Sequence, residues 1–148
     1  MALIEKEVVV TTRYGRMPAF AACPDTPGAF PAVIFYMDAP GYREELCNMA
    51  RRIAKHGYFC LLPDMYYRLG SLRFDLPRRT DAMTAVIRAA MGHLTNADVT
   101  DDTAAMLAFL DAVSSVTSAL VRWPIAARIT AVMASVRRGR SSRREPSR

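Results

Sequence analysis

Two carboxylates, Asp38 and Asp64, each close an apolar run: "PAVIFYMD" over 31–38 and "YFCLLPD" over 58–64. A group just beyond the carboxyl end of a buried strand stands where open α/β sheets bind their ligands. Asp38 leads directly into Ala39-Pro40-Gly41 and then into the charged, helix-like stretch "YREELCNMARRIAKH". Backbone N–H groups in such a turn, close to a helix N-terminus, hold developing negative charge as an oxyanion hole does. The same residues also make an ordinary capped strand-to-helix joint, and spacing alone leaves these two readings of Asp38 level. For Asp64, Pro-Asp at a strand exit reads first as a turn. Among possible nucleophiles, Cys47 falls on the helix and Cys60 in mid-strand, where each reads as a small buried hydrophobe, and Cys23 stands at a loop edge. Three cysteines without C-x-x-C spacing argue against both a disulfide framework and a zinc site. His56 and His93 fall near helix ends, where an imidazole complements the dipole. No metal and no cofactor is expected.

The elements that must position these residues are legible from periodicity. "IEKEVVVTT" (4–12) reads as a strand, Tyr14-Gly15 as a turn, and "RMPAFAAC" (16–23) as the hairpin partner, with Pro18 pointing to an edge position. The continuous apolar run over 31–37 predicts a strand buried on both faces of a parallel sheet. Between Arg43 and His56 the apolar residues Leu46, Met49, Ala50, Ile53 and Ala54 recur at helical spacing, and Gly57 supplies a stop. Residues 58–63 then give a second buried strand, so this stretch predicts a βαβ unit with a right-handed crossover. A polar and aromatic excursion over 64–79 precedes a helix from Asp81 to about Met91. A cap region at Thr95–Asp98 precedes another helix, with Met106, Phe109, Leu110 and Val113 as its stripe. The fold class is therefore α/β, an antiparallel strand pair leading into a parallel βαβ sheet with helices on its faces.

The chain's 148 residues suffice for one domain core, and 51% hydrophobic with 23% charged residues is the balance of a folded globular chain rather than a disordered one. No apolar run reaches the length of a membrane span. The N-terminus, Met-Ala-Leu-Ile-Glu-Lys-Glu, carries charge where a signal peptide needs its apolar segment. A reducing cytoplasm is the expected location. The net charge of +6 is concentrated at one end: from 121 onward eight arginines face one acid, leaving −1 for residues 1–120. Such a tail can meet polyanions, but it lacks Lys and interleaved aromatics other than Trp123, and no specific nucleic-acid partner is expected.

Two stretches in order, "YMDAPGYREEL" and "MARRIAKHGYFCLLPDMYYRLG", resemble the N-terminal half of the dienelactone hydrolase family of α/β hydrolases. The resemblance covers roughly residues 4–112, and its most specific pieces are D-A-P-G-x-R-x-x-L and G-Y-x-x-x-x-P-D-x-Y-Y-R. It implies hydrolysis of small-molecule carboxylic esters or lactones. It also implies that Ala39 supplies an oxyanion-hole N–H and that Asp38 occupies the position of a family glutamate that touches the resting nucleophile. Asp is one methylene shorter. Arginines and a tyrosine after the second strand hold the substrate carboxylate in that family. Arg73, Arg78 and Arg79 lie in that region, while Tyr66, Tyr67 and Arg68 either line the same cleft or pack beneath it.

The family's nucleophile sits on a G-x-C-x-G or G-x-S-x-G elbow, because glycines permit the sharp strand-to-helix turn. Here no glycine occurs between Gly92 and Gly139, and no histidine follows His93. Nucleophile and triad histidine are thus both absent, and the chain is expected to be inactive by itself. From about Val113 the sequence becomes rich in Arg, Ser and Ala, as an out-of-frame reading of GC-rich DNA gives, so a truncated or frameshifted family member is expected. The division expected is 1–112 for the α/β part, 113–136 for an atypical helical segment, and 137–148 for a basic, disordered tail. Two other functions compete. A receiver-like phosphoacceptor role for Asp38 lacks the acidic pair on "VVVTT" and any Lys beyond Lys55. A non-catalytic binding or assembly module would use the basic tail. A half-built sheet also predicts self-association through its unfinished edge.

Overall fold

The computed structural model describes residues 2–26 and 30–115. Four strands, β1 (Leu3–Thr12), β2 (Gly15–Pro24), β3 (Ala32–Ile34) and β4 (Phe59–Pro63), form one sheet in the order β1-β2-β4-β3. The first two are an antiparallel hairpin in which Leu3 faces Pro24 and Thr12 faces Gly15. β2 pairs antiparallel with β4, and β3 pairs parallel with β4, Val33 facing Cys60. Among the described residues, three α-helices accompany the sheet: α1 (Glu44–Lys55), α2 (Asp81–His93) and α3 (Asn96–Ser115). The architecture is α/β, with the antiparallel pair leading into a β3-α1-β4 unit.

β4 shows why its sequence is apolar throughout. Side chains alternate across a strand, and Phe59 and Leu61 join the cluster that holds Met106 and Leu110 of α3. Cys60 and Leu62 face the other way, into the cluster of Leu46, Cys47, Ala50 and Ala54 of α1. With a helix on each face, every residue of β4 is buried. β2 alternates likewise, Ala19, Ala21 and Cys23 toward α3 and Phe20 and Ala22 toward α1.

Three expectations are corrected here. β2 is an inner strand, not an edge. Pro18 is tolerated because pairing with β4 begins only at Ala19, and its carbonyl accepts the Asp64 N–H at 2.8 Å. β3 is short and half-buried rather than buried on both faces, because among the described residues it pairs only with β4 and forms the end of the sheet. On α1, Met49 turns outward and Cys47 takes the buried place.

Local chemistry fixes the helix ends. Glu44 and Glu45 stand in the first turn of α1, Arg52 and Lys55 in the last, matching the macrodipole, and Gly57 leaves the helix at φ +90°. Thr80 caps α2, its side chain accepting the Met83 N–H at 3.1 Å. Before α3, Thr95 and Asp98 cap each other reciprocally: the Thr95 N–H donates to Asp98 and the Asp98 N–H to the Thr95 hydroxyl. α3 runs past Ala112 to Ser115 with Met106 and Leu110 buried. The segments expected at 113–136 and 137–148 lie almost wholly outside the described residues.

Candidate functional site

The segment that leaves β3 turns at Asp38-Ala39-Pro40-Gly41, closed by a 2.9 Å hydrogen bond from the Gly41 N–H to the Asp38 carbonyl. Arg43, the residue that caps α1, folds back onto this turn. Its guanidinium grips the Asp38 carboxylate with both terminal nitrogens, Nη2 to Oδ2 at 2.8 Å, and donates to the Gly41 carbonyl at 3.0 Å. A fork-to-fork pair of this kind fixes orientation as well as charge. The hydrogen bond from Arg43 holds the Asp38 carboxyl below the usual carboxylate range, against a smaller opposing effect of burial. Asp38 is thus an ionised, clamped carboxylate and not a free general base.

A second clamp comes from the loop after the neighbouring strand. Tyr66 follows β4, and its hydroxyl donates to the Ala39 carbonyl at 2.7 Å. Its ring lies against Gly41: a Cβ built there would meet ring carbons at 3.0 and 3.1 Å, and φ is +85°. Glycine is required at this position on both counts. Tyr66 is held in turn by Asp64, which is almost wholly buried and accepts the Tyr66 N–H at 3.2 Å and Arg73 Nη1 at 3.0 Å. The two carboxylates at the strand ends therefore act in one scaffold, Asp64 holding Tyr66 and Tyr66 holding Ala39. Among the described residues, these bonds use the Asp38 and Ala39 carbonyls and the Gly41 N–H, and leave the Ala39 N–H unpaired.

Ala39 and Asp38 border a cleft of about 350 Å³ that Tyr36, Met37, Met65, Tyr66, Met91, Leu94 and Val99 also line. Tyr36 is fixed at its rim by a 2.6 Å hydrogen bond with Thr103 of α3. A smaller neighbouring pocket of about 170 Å³ shares Met65, Tyr66 and Leu94 and adds Arg68 and His93.

The other expected site residues are placed elsewhere. Arg68 is gripped by Asp102 of α3, at 2.8 and 2.9 Å, and stacks over Tyr14 and Tyr67. The Tyr67 hydroxyl joins Asp102 at 2.9 Å to Thr12 at 2.7 Å. These contacts tie α3 to the β1–β2 hairpin; Tyr66 lines the cleft and Tyr67 does not. Arg73 serves Asp64 and stacks over Tyr42 at 4.6 Å. Arg78 meets Asp75 in solvent, and Arg79 donates to Thr84 at 3.0 Å. None of Tyr67, Arg68, Arg73, Arg78 and Arg79 borders the 350 Å³ cleft. Sequence reasoning assigned no role to Arg43 or Asp102. Arg43 carried a signal within the D-A-P-G-x-R spacing, whereas nothing local announces the partner of Asp102.

No thiol is placed to act. Cys23, Cys47 and Cys60 are free and buried. Burial pushes the Cys23 thiol up to about 11 and the Cys60 thiol up to about 12. A nucleophilic cysteine needs the opposite shift.

Comparison with known proteins bears on this geometry. Residues 17–122 match the profile of the dienelactone hydrolase family. A Methylorubrum extorquens protein named as a carboxymethylenebutenolidase is 32% identical over 107 residues, 72% of this chain and 35% of its own length. An Escherichia coli protein of the same name is 30% identical over 89 residues, covering 58% of this chain and 33% of its own length. A crystal structure titled as a dienelactone hydrolase from Klebsiella pneumoniae superposes with a TM-score of 0.63 at 25% identity, over 74% of this chain and 44% of that one. The chain spans about a third of the length of the curated relatives it matches.

Proposed function

Because the chain belongs to the dienelactone hydrolase family, we propose that its 38–41 turn is the oxyanion-hole wall of a site that hydrolyses carboxylic esters or lactones, with the Ala39 N–H as donor. The observation that carries this reading is that Ala39, whose N–H is unpaired among the described residues, borders the cleft in a turn locked by Tyr66 and Arg43. Preorganised donors of this kind stabilise the tetrahedral intermediate without reorganising during the reaction. Asp38, bound by Arg43, acts here by shaping the turn. At family level the attack belongs to an elbow Cys or Ser assisted by a histidine.

Residues 1–148 carry no G-x-[CS]-x-G elbow and no histidine after His93, and the three thiols are buried. We therefore propose that this chain by itself does not turn over esters. Incubating the full chain with p-nitrophenyl acetate tests this: the expected rate is that of buffer. Hydrolysis abolished by Asp38→Asn and indifferent to replacement of the cysteines would overturn it. Three free thiols support a reducing compartment, and we assign the chain to the cytoplasm on that ground.

The eight arginines from 121 onward favour a second reading, a binding or assembly module that uses the tail. Salt-sensitive retention on heparin that vanishes when 121–148 are deleted supports that reading, and weak retention indifferent to the deletion removes it.

A further inference from the structure

We infer that the cleft beside Ala39 selects an uncharged, apolar acyl or aryl group and turns away one that bears a carboxylate. The inference rests on reading the 38–41 turn as the oxyanion wall and names the substrate class for that site. A volume of about 350 Å³ accommodates a substituted ring. Its walls are apolar: Met37, Met65, Met91, Leu94 and Val99 line it, and the methionines adapt to irregular shapes.

Charge decides the selectivity. Among the described residues, the one charged side chain on the lining is Asp38, whose carboxylate is 53% exposed. A carboxylate brought into the cleft would face it at close range. Among the described residues, the arginines nearby are engaged by carboxylates. Arg43 is held by Asp38 and the Gly41 carbonyl, Arg73 by Asp64, and Arg68 by both oxygens of Asp102. Recruiting Arg73 or Arg68 to an anion would take from buried Asp64 or Asp102 the cation that it pairs with, which is strongly unfavourable.

The test compares two probes that share a ring and a ketone but differ in charge, 4-methylacetophenone and 4-acetylbenzoate. Each is titrated at pH 7.5 into the full chain carrying ¹³C-methyl methionine. The lining methionines Met37, Met65 and Met91 report occupancy by their methyl shifts. The neutral ketone is expected to shift these methyls saturably and to bind at least tenfold more tightly than the carboxylate, with Asp38→Asn narrowing that gap. Equal or tighter binding of 4-acetylbenzoate, a gap unchanged by Asp38→Asn, or silence of these methyls toward both probes would overturn the inference. The readout is occupancy, so its failure is distinct from failure of the oxyanion-wall reading, which is read in ester turnover.

Discussion

The hydroxyl of Tyr66 donates a 2.7 Å hydrogen bond to the carbonyl of Ala39, joining the loops that leave two neighbouring parallel strands. Tyr66→Phe keeps the ring against Gly41 and removes only this bond. A net loss of about 1 kcal/mol in urea unfolding is expected. Amide exchange at Gly41 should quicken at the same time. An unchanged midpoint and unchanged exchange would show that the bond does not hold the turn.

Gly41→Ala attacks the same joint from the other side. It combines a φ of +85° with a Cβ 3.0 Å from the Tyr66 ring. The cost should exceed that of Tyr66→Phe, at about 1–3 kcal/mol. Adding Tyr66→Ala opens the space but leaves the φ penalty, so the double variant should lose less than the sum of the single losses.

These contacts also show how far sequence reading reached and where it stopped. β4, α1 and the Thr95–Asp98 cap were legible because strand runs, helical spacing and caps are local patterns. The half-exposure of β3 was not, because burial of a strand depends on which strands lie beside it, and sequence does not state sheet order. Pro18 misled for the same reason. At the site, the turn after Asp38 could be read, yet its two clamps could not be. Arg43 competes with any other role for Asp38, and Tyr66 reaches Ala39 from the loop after the adjacent strand. Of the arginines expected in that region, Arg73 pairs with buried Asp64 and Arg68 with buried Asp102, pairings that no spacing rule encodes, while Arg78 and Arg79 meet Asp75 and Thr84 at the surface.

Asp102 is fully buried and holds both Arg68 and Tyr67. Asp102→Ala leaves the largely buried Arg68 guanidinium only its 3.8 Å pair with Asp98 and removes the Tyr67 tie between α3 and the hairpin. The expected loss is about 3 kcal/mol in chemical denaturation. Arg78→Ala, which breaks a pair in solvent, should fall within about 0.5 kcal/mol of the parent. Equal effects for the two would contradict the assignment of α3's anchor.

The buried thiols make stability fall in alkali. Cys23 and Cys60 ionise only at about 11 and about 12 in the folded chain, against 9.0 for an ordinary thiol. Between pH 9 and 11 the unfolded state therefore binds fewer protons, so unfolding becomes easier as pH rises. Stability should be flat below pH 8 as far as the thiols are concerned, and Cys60→Ala should flatten part of the alkaline slope. Ellman's reagent at pH 8 should find none of the three thiols in the folded chain and all three in guanidinium. Rapid modification of any one of them in the folded chain would contradict their burial.

The central claim is that the 38–41 turn is a competent oxyanion wall. A chimera tests it most directly, with residues 1–115 of this chain replacing the corresponding part of the Klebsiella pneumoniae dienelactone hydrolase whose fold it shares. The measurement is kcat for p-nitrophenyl acetate, with cooperative unfolding as the check that each variant is folded. Hydrolysis by the chimera is expected, with a kcat at least tenfold lower for Gly41→Ala, since loss of one aligned oxyanion donor costs on the order of 10²–10³. A folded chimera without hydrolysis, or one whose kcat is indifferent to Gly41→Ala, would contradict it.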